Sequence, residues 1–385
     1  MAKNMHAKPF DEGTMVKLEL FKLYFREWLP VFTKSQFNKQ IEIYDFFAGE
    51  GTDVEGTYGS PLILLDEIKS YCADFKNNST RVEVHFNDFS SKKISKLDSN
   101  VNEKLLECSD EKKYEFCQLN NGKTNCPFII KSHNRDFQAL FAAEFNRFKN
   151  APMIPRFMLI DQYGVKHVTT EVFNQLTSLP KTDFIFFISS NHIRRFKEHP
   201  GFTAYLDSSK LDFSESRPVE CHRVIYNYYK SLLYGKKYFL GQFSIKKNNS
   251  IHGVIFGSSH PFGLEKFLSA AWRIDPHTGE TNYDIDEDHI RTGQLSMDLF
   301  ETGAPDKIKK LAAFEEDLIY FLKTEQSNQS IYIFALEKGI SIPKTNEILS
   351  NLEKNNRLLF KGDERRKSAF YLKYDPEKKI IIQSK

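Results

Sequence analysis

One stretch of this 385-residue chain has the residue types and spacing of a ligand-gripping turn: Asp45-Phe46-Phe47-Ala48-Gly49-Glu50-Gly51. Glycine has no Cβ, accepts positive φ, and lets main-chain N–H groups approach a ligand closely. The short β-branched and aromatic run just upstream (residues 41–47) reads as a buried strand entering that turn. The carboxyl edge of such a strand is where open α/β sheets bind ligands. Two phosphate-bearing ligands fit poorly. A dinucleotide fingerprint needs a third glycine where Val54 stands, and a phosphate loop ending in Gly122-Lys123-Thr124 needs a glycine where Cys117 stands.

S-adenosylmethionine carries no phosphate and needs no third glycine. It does need an acid at the end of the second strand for its ribose hydroxyls, and a polar group after the third for its adenine. Asp88 and Asp136, the latter followed by Phe137, stand in those places. With Asp45, Phe47, Ala48, Gly49 and Gly51 they form the expected cofactor set. Asp161-Gln162-Tyr163-Gly164 follows the fourth strand. There Asp161 would orient a target amine and Tyr163 would stack on a base. Amino-methyltransferases carry a rigid Pro at the place of Gln162, so a less preorganised loop is expected. Arg194 and Arg195, after the fifth strand, are placed to meet substrate phosphate. A magnesium-dependent nuclease using Asp88, Asp136 and Asp161 would leave the glycine turn unexplained. No Cys-x-x-Cys or His-Glu-x-x-His occurs, so no metal site is expected. The five cysteines, an odd number, fit reduced thiols in the cytoplasm.

Helices and strands must position these residues. Residues 15–28 place apolar residues at helical spacing with charged ones between them, and Pro30 ends that helix or follows its end. Ser60-Pro61 opens another helix, with Ser60 as its cap. Strands follow at 82–86, 128–131, 156–160 and 183–188, separated by helical stretches at 90–107, 137–148 and 170–179. Alternating β and α with nearly continuous apolar strands predicts a parallel sheet covered on both faces. A helical insertion at about 197–236 precedes a hairpin of strands 238–246 and 251–257. Five parallel strands and a closing antiparallel hairpin strand are the shape of a Rossmann-like class I methyltransferase core, here assigned residues 1–300.

From about Pro305 the pattern changes to three helices (307–322, 331–338, 344–355) and two strands (358–360, 369–374), which predicts a C-terminal winged helix-turn-helix over 305–385. From Lys354 onward ten basic residues face four acidic ones, although the whole chain is only +3. That tail, Arg365 and Arg366 included, points to DNA or RNA as partner. The near balance overall excludes a histone-like or acidic-tail protein. With 40% hydrophobic residues the chain builds a real core. Its longest apolar runs, about five residues, are far too short to span a membrane. Residues 1–14 lack the apolar region of a signal peptide.

Several motifs together resemble the three-Cys-motif partner proteins: Lys17 on the first helix, Asp45 to Gly51, Gly59-Ser60-Pro61-Leu62, Asp161 to Gly164, residues 256–261, and 272–286. The resemblance spans most of residues 14–290. It implies an S-adenosylmethionine-dependent methyltransferase and a separate protein partner that carries the three cysteines. Gln162 and Tyr163 replace the family's Pro and Phe. A non-catalytic binding module on a methyltransferase-like scaffold is the competing expectation.

Overall fold

The computed structural model describes residues 8–34, 39–110, 119–120, 123–124, 126–162, 164–200, 205–288, 308–365 and 367–385. A seven-stranded sheet forms its centre: β1 (Gln40–Asp45), β2 (Arg81–Asn87), β3 (Phe128–His133), β4 (Arg156–Ile160), β5 (Thr182–Ile188), β6 (Phe239–Lys247) and β7 (Ser250–Ser258). The strand order is β3-β2-β1-β4-β5-β7-β6. The first five strands are parallel, and β7 runs antiparallel to both β5 and β6. This is the mostly parallel, Rossmann-like layout expected from the sequence. The order reverses between β1 and β4, which opens a crevice at their carboxyl ends.

Among its helices are α1 (Glu12–Thr33), α2 (Ser60–Lys69), α3 (Ser91–Asp110), α4 (Phe137–Asn150), α5 (Thr170–Leu176), α6 (Ser190–Phe196), α7 (Cys221–Ser231) and α8 (Pro261–Ile274). Side chains alternate between sheet faces with period two. Ile41 and Ile43 of β1 pack with Phe21, Tyr24, Phe25 and Trp28 of α1, whereas Tyr44 and Phe46 pack with Phe137 and Phe141 of α4. Asp45 continues the Ile41–Ile43 series and therefore looks towards α1 and α2. In β4, Phe157 and Leu159 belong to the same face, and Asp161 continues it.

Pro30 does not end α1. The buried face runs on through Leu29 and Thr33, and the helix forgoes the bond that the missing N–H of Pro30 would have made one turn back. Ser60 is not the cap of α2 either. Gly59 holds that position, and the Ser60 hydroxyl lies against Asp45 instead. The β6–β7 hairpin closes through Asn248, whose φ of 54° suits the tight two-residue turn. Most of the polar, Asn- and Gly-rich stretch 114–126, whose composition suits a loop or insertion, lies outside the described residues.

The C-terminal portion contains α9 (Lys309–Phe321), β8 (Gln326–Ser327), α10 (Asn328–Glu337), α11 (Ile342–Lys354), β9 (Leu358–Gly362) and β10 (Ile380–Ser384), with sheet order β8-β10-β9. The last strand is therefore 380–384, not 369–374. Phe370 and Leu372 are buried without joining a ladder, while Ile380 and Ile382 combine burial with pairing to β9. The portion docks on α8 and the loop after it. Tyr332 Oη donates to Glu265 at 2.8 Å, Trp272 Nε1 donates to the Gly339 carbonyl at 3.2 Å, and Lys310 pairs with Glu280 at 3.1 Å. The expected boundary near residues 300–305 lies outside the described residues. Among the described residues, no helix is long and apolar enough to cross a membrane.

Candidate functional site

The glycine turn forms as its composition demands. Gly49 has φ 66° and Gly51 φ 87°, values that favour glycine. A Cβ on Gly51 would also come within 2.9 Å of Leu97 Cδ1. The turn is tied down on several sides. Ala48 N donates to the Asn87 carbonyl at 2.8 Å, Gly59 N to the Gly51 carbonyl at 2.8 Å, and Asn100 Nδ2 to the Glu50 carbonyl at 2.8 Å. Asn87 is buried at the end of β2. Its Nδ2 donates to the Phe46 carbonyl at 3.1 Å, and its Oδ1 accepts from Arg135 N at 3.1 Å. One amide thus joins the ends of β1, β2 and β3.

Asp45 is completely buried beneath this turn. Its Oδ1 accepts from Phe47 N at 3.1 Å, whereas Oδ2 has no hydrogen-bond partner. Burial pushes its pKa up to about 7, reinforced by the charge of Asp161 and opposed by Ser60, Phe47 N–H and Lys17. Lys17, 4% exposed, reaches from α1 to Asp161 Oδ2 at 2.5 Å and lies 4.8 Å from the centre of the Phe187 ring. Two carboxylates and one ammonium therefore share the carboxyl edge of β1 and β4, with one buried oxygen unfilled. Such a cluster favours a cation.

The other expected acids sit at neighbouring strand ends and are already engaged. Asp88 is half-buried. Its Oδ1 accepts from Ser90 N at 2.8 Å, and Lys93 lies 3.7 Å from its Oδ2. Asp136 caps α4, its Oδ1 accepting from Gln138 N at 2.9 Å and Ala139 N at 3.2 Å. The three aspartates after β2, β3 and β4 thus do not meet at one point. Among the described residues, no group of three or more His, Cys, Asp or Glu could hold a metal ion. Phe47 and Phe137 stack at 5.3 Å, with His167 5.0 Å from Phe47, which makes an aromatic wall beside the turn.

The loop after β4 is stitched rather than loose. Gln162 is buried, and its Oε1 accepts from His167 N at 3.0 Å and Val168 N at 3.2 Å. The amide fixes the loop by hydrogen bonding where the expectation was a loss of order for want of Pro. Its Nε2 is buried without a partner. Tyr163 and Arg366 lie outside the described residues. Arg194 is half-buried, and its Nε has no partner, while Arg195 is exposed beside Phe196. Arg365 is held away from solvent partners: it pairs with Glu353 and lies 3.5 Å from the centre of the Phe360 ring.

Lys17, Ser60 and Asn87 were not among the expected site residues. For Lys17 the signal was present: it interrupts an apolar stripe, Lys17-Phe21-Tyr24-Trp28, at helical spacing. A lysine on a buried face needs a partner.

No family model and no curated protein matches the chain. The three-Cys-motif resemblance thus rests on its quoted residues alone. Among solved structures, the chain is similar to Trm1 from Pyrococcus horikoshii in complex with S-adenosyl-L-methionine, at 11% identity and TM-score 0.37, covering 68% of this chain and 59% of that one. It therefore spans less than two thirds of the Trm1 chain. It is also similar to an O-methyltransferase from Bacillus cereus in complex with SAH (13% identity, TM-score 0.31, 65% of this chain and 91% of that one). The O-methyltransferase TomG from Streptomyces achromogenes stands at 9% identity and TM-score 0.31, with 65% and 90% covered. All three likenesses are distant and say nothing about the side chains of this site.

Proposed function

We propose that the chain is an S-adenosylmethionine-dependent methyltransferase acting on an amine of nucleic acid. The observation that carries this reading is the buried Asp45 carboxylate, one oxygen unfilled, beneath a glycine turn at the reversal point of a mostly parallel sheet. The residues fit the cofactor: Gly49 and Gly51 leave room for close backbone approach, Asp45 offers an unpaired acceptor to a cationic group, and Asp88 stands where ribose hydroxyls need an acid. Bound there, the cofactor supplies a methyl group activated by a positively charged sulfur. The chain's own part is to hold and orient. The Phe47–Phe137 wall shields one side, the Gln162 stitch fixes the β4 loop, and Asp161 accepts a hydrogen bond from the target amine once Lys17 yields to it. The three C-terminal helices and small sheet support a winged helix-turn-helix, and the excess of basic over acidic residues from Lys354 onward supports a role in holding the polyanion.

One observation favours a second reading, a binding module with a methyltransferase-like scaffold: Lys17 already fills the position on Asp161 that a target amine would take. Isothermal titration with S-adenosylmethionine and S-adenosylhomocysteine tests the first reading, together with mass spectrometry of small molecules released from the purified protein. Micromolar binding is expected. No binding at millimolar concentration would end it. Binding without methyl transfer to any DNA or RNA pool would leave the module.

A further inference from the structure

Among the described residues, Lys17 is the cation that faces the Asp45–Asp161 pair. Asp45 is wholly buried, Asp161 is 21% exposed at its side chain, and Lys17 is 4% exposed. The period-two alternation of β1 and β4 turns both aspartates towards α1, and α1 answers with a single ammonium, pinned between Asp161 and the Phe187 ring. A lysine here is not needed for packing. The stripe that carries it is otherwise apolar, and a methionine would fill the same volume without the cost of burying a charge.

We propose that Lys17 is a positioning residue that sets the charge of the donor subsite, so that the site does not overbind the positively charged methyl donor. This rests on the methyltransferase reading. The donor carries one positive charge that its thioether product lacks. Two bare carboxylates would stabilise that charge strongly in the ground state. Binding that is lost as the charge disappears raises the barrier instead of lowering it. A fixed ammonium offsets Asp161 and leaves the buried Asp45, which ionises most readily when a cation lies against it, enough to select the donor without trapping it. The same pair keeps Asp161 oriented until an acceptor replaces Lys17.

The two ligands that report on this differ by one charge and one methyl group. Isothermal titration of the full chain with S-adenosylmethionine and S-adenosylhomocysteine gives the ratio of the two affinities for wild type, Lys17→Met, Lys17→Arg and Asp161→Asn. One unit of charge acting over ~10 Å at an effective dielectric near 20 changes a binding constant by about tenfold. Lys17→Met is expected to shift the ratio towards the donor by about that factor, Asp161→Asn to shift it by a similar factor towards the product, and Lys17→Arg to leave it within about twofold. A merely structural role would weaken both ligands together and leave the ratio unmoved in all three variants, and that result overturns the proposal. Should Lys17→Met not fold, as judged by circular dichroism, the opposite sign required of Asp161→Asn still decides. If wild type binds neither ligand, the methyltransferase reading itself fails and takes the proposal with it. Binding by wild type with an unshifted ratio in the variants rejects the role of Lys17 alone.

Discussion

Asp45 should make the protein less stable at neutral pH than an amide in the same place would. The carboxyl is fully buried, and burial raises its pKa from 3.8 to about 7. A folded-state pKa above the unfolded value means that folding favours the protonated form. That contribution is fully present below the unfolded value of 3.8 and is lost as pH rises from there to about 7. At roughly 1.4 kcal/mol per pH unit, the loss over this window is about 4 kcal/mol. Asp45→Asn keeps the shape and an acceptor for Phe47 N but cannot ionise. The stability difference between variant and wild type should therefore move in favour of the variant by about 4 kcal/mol between pH 4 and pH 8. Urea unfolding of both proteins at half-unit pH steps measures it. Taking the difference cancels groups common to both, including Asp183, which burial also raises to about 6. A gap that stays flat across this range, or that moves in favour of wild type with rising pH, would refute the reasoning. The same variant should bind S-adenosylmethionine more weakly, because the amide offers no charge to a cation. A group that destabilises the fold while serving a ligand is the usual trade at a functional site.

Two further outcomes follow from the geometry. Gly51→Ala forces a side chain into φ 87° and within 2.9 Å of Leu97 Cδ1, so it should cost about 2–4 kcal/mol in urea unfolding and weaken cofactor binding; an unchanged midpoint would mean that the turn is not under this constraint. His222 is fully buried between the Ser190 hydroxyl and the Val254 carbonyl, and burial lowers its pKa from 6.5 to about 4. Its neutral form contributes stability above pH 6.5 that is lost as pH falls towards 4. His222→Gln should thus lose less stability than wild type between those limits, by up to about 3 kcal/mol; parallel curves would show that the ring does not titrate on folding.

The sequence by itself determined the alternation of strand and helix, because the β-branched and aromatic runs are separated by amphipathic stretches of the right length. It also determined the glycine turn, since glycine adopts the φ values found at Gly49 and Gly51 at the least cost. Where local spacing was ambiguous, tertiary contacts decided. Residues 369–374 have strand composition, yet the ladder went to 380–384, because burial of Phe370 and Leu372 does not require pairing and the isoleucines at 380 and 382 obtain both. Ser60 has the type of a cap, but a buried carboxylate draws its hydroxyl away. Gln162 looks like a loss of rigidity until its two bonds to His167 and Val168 are seen. Lys17 and Asp161 stand 144 positions apart. The apolar stripe around Lys17 shows that this lysine needs a partner, but only the packing of α1 across the sheet edge makes that partner Asp161.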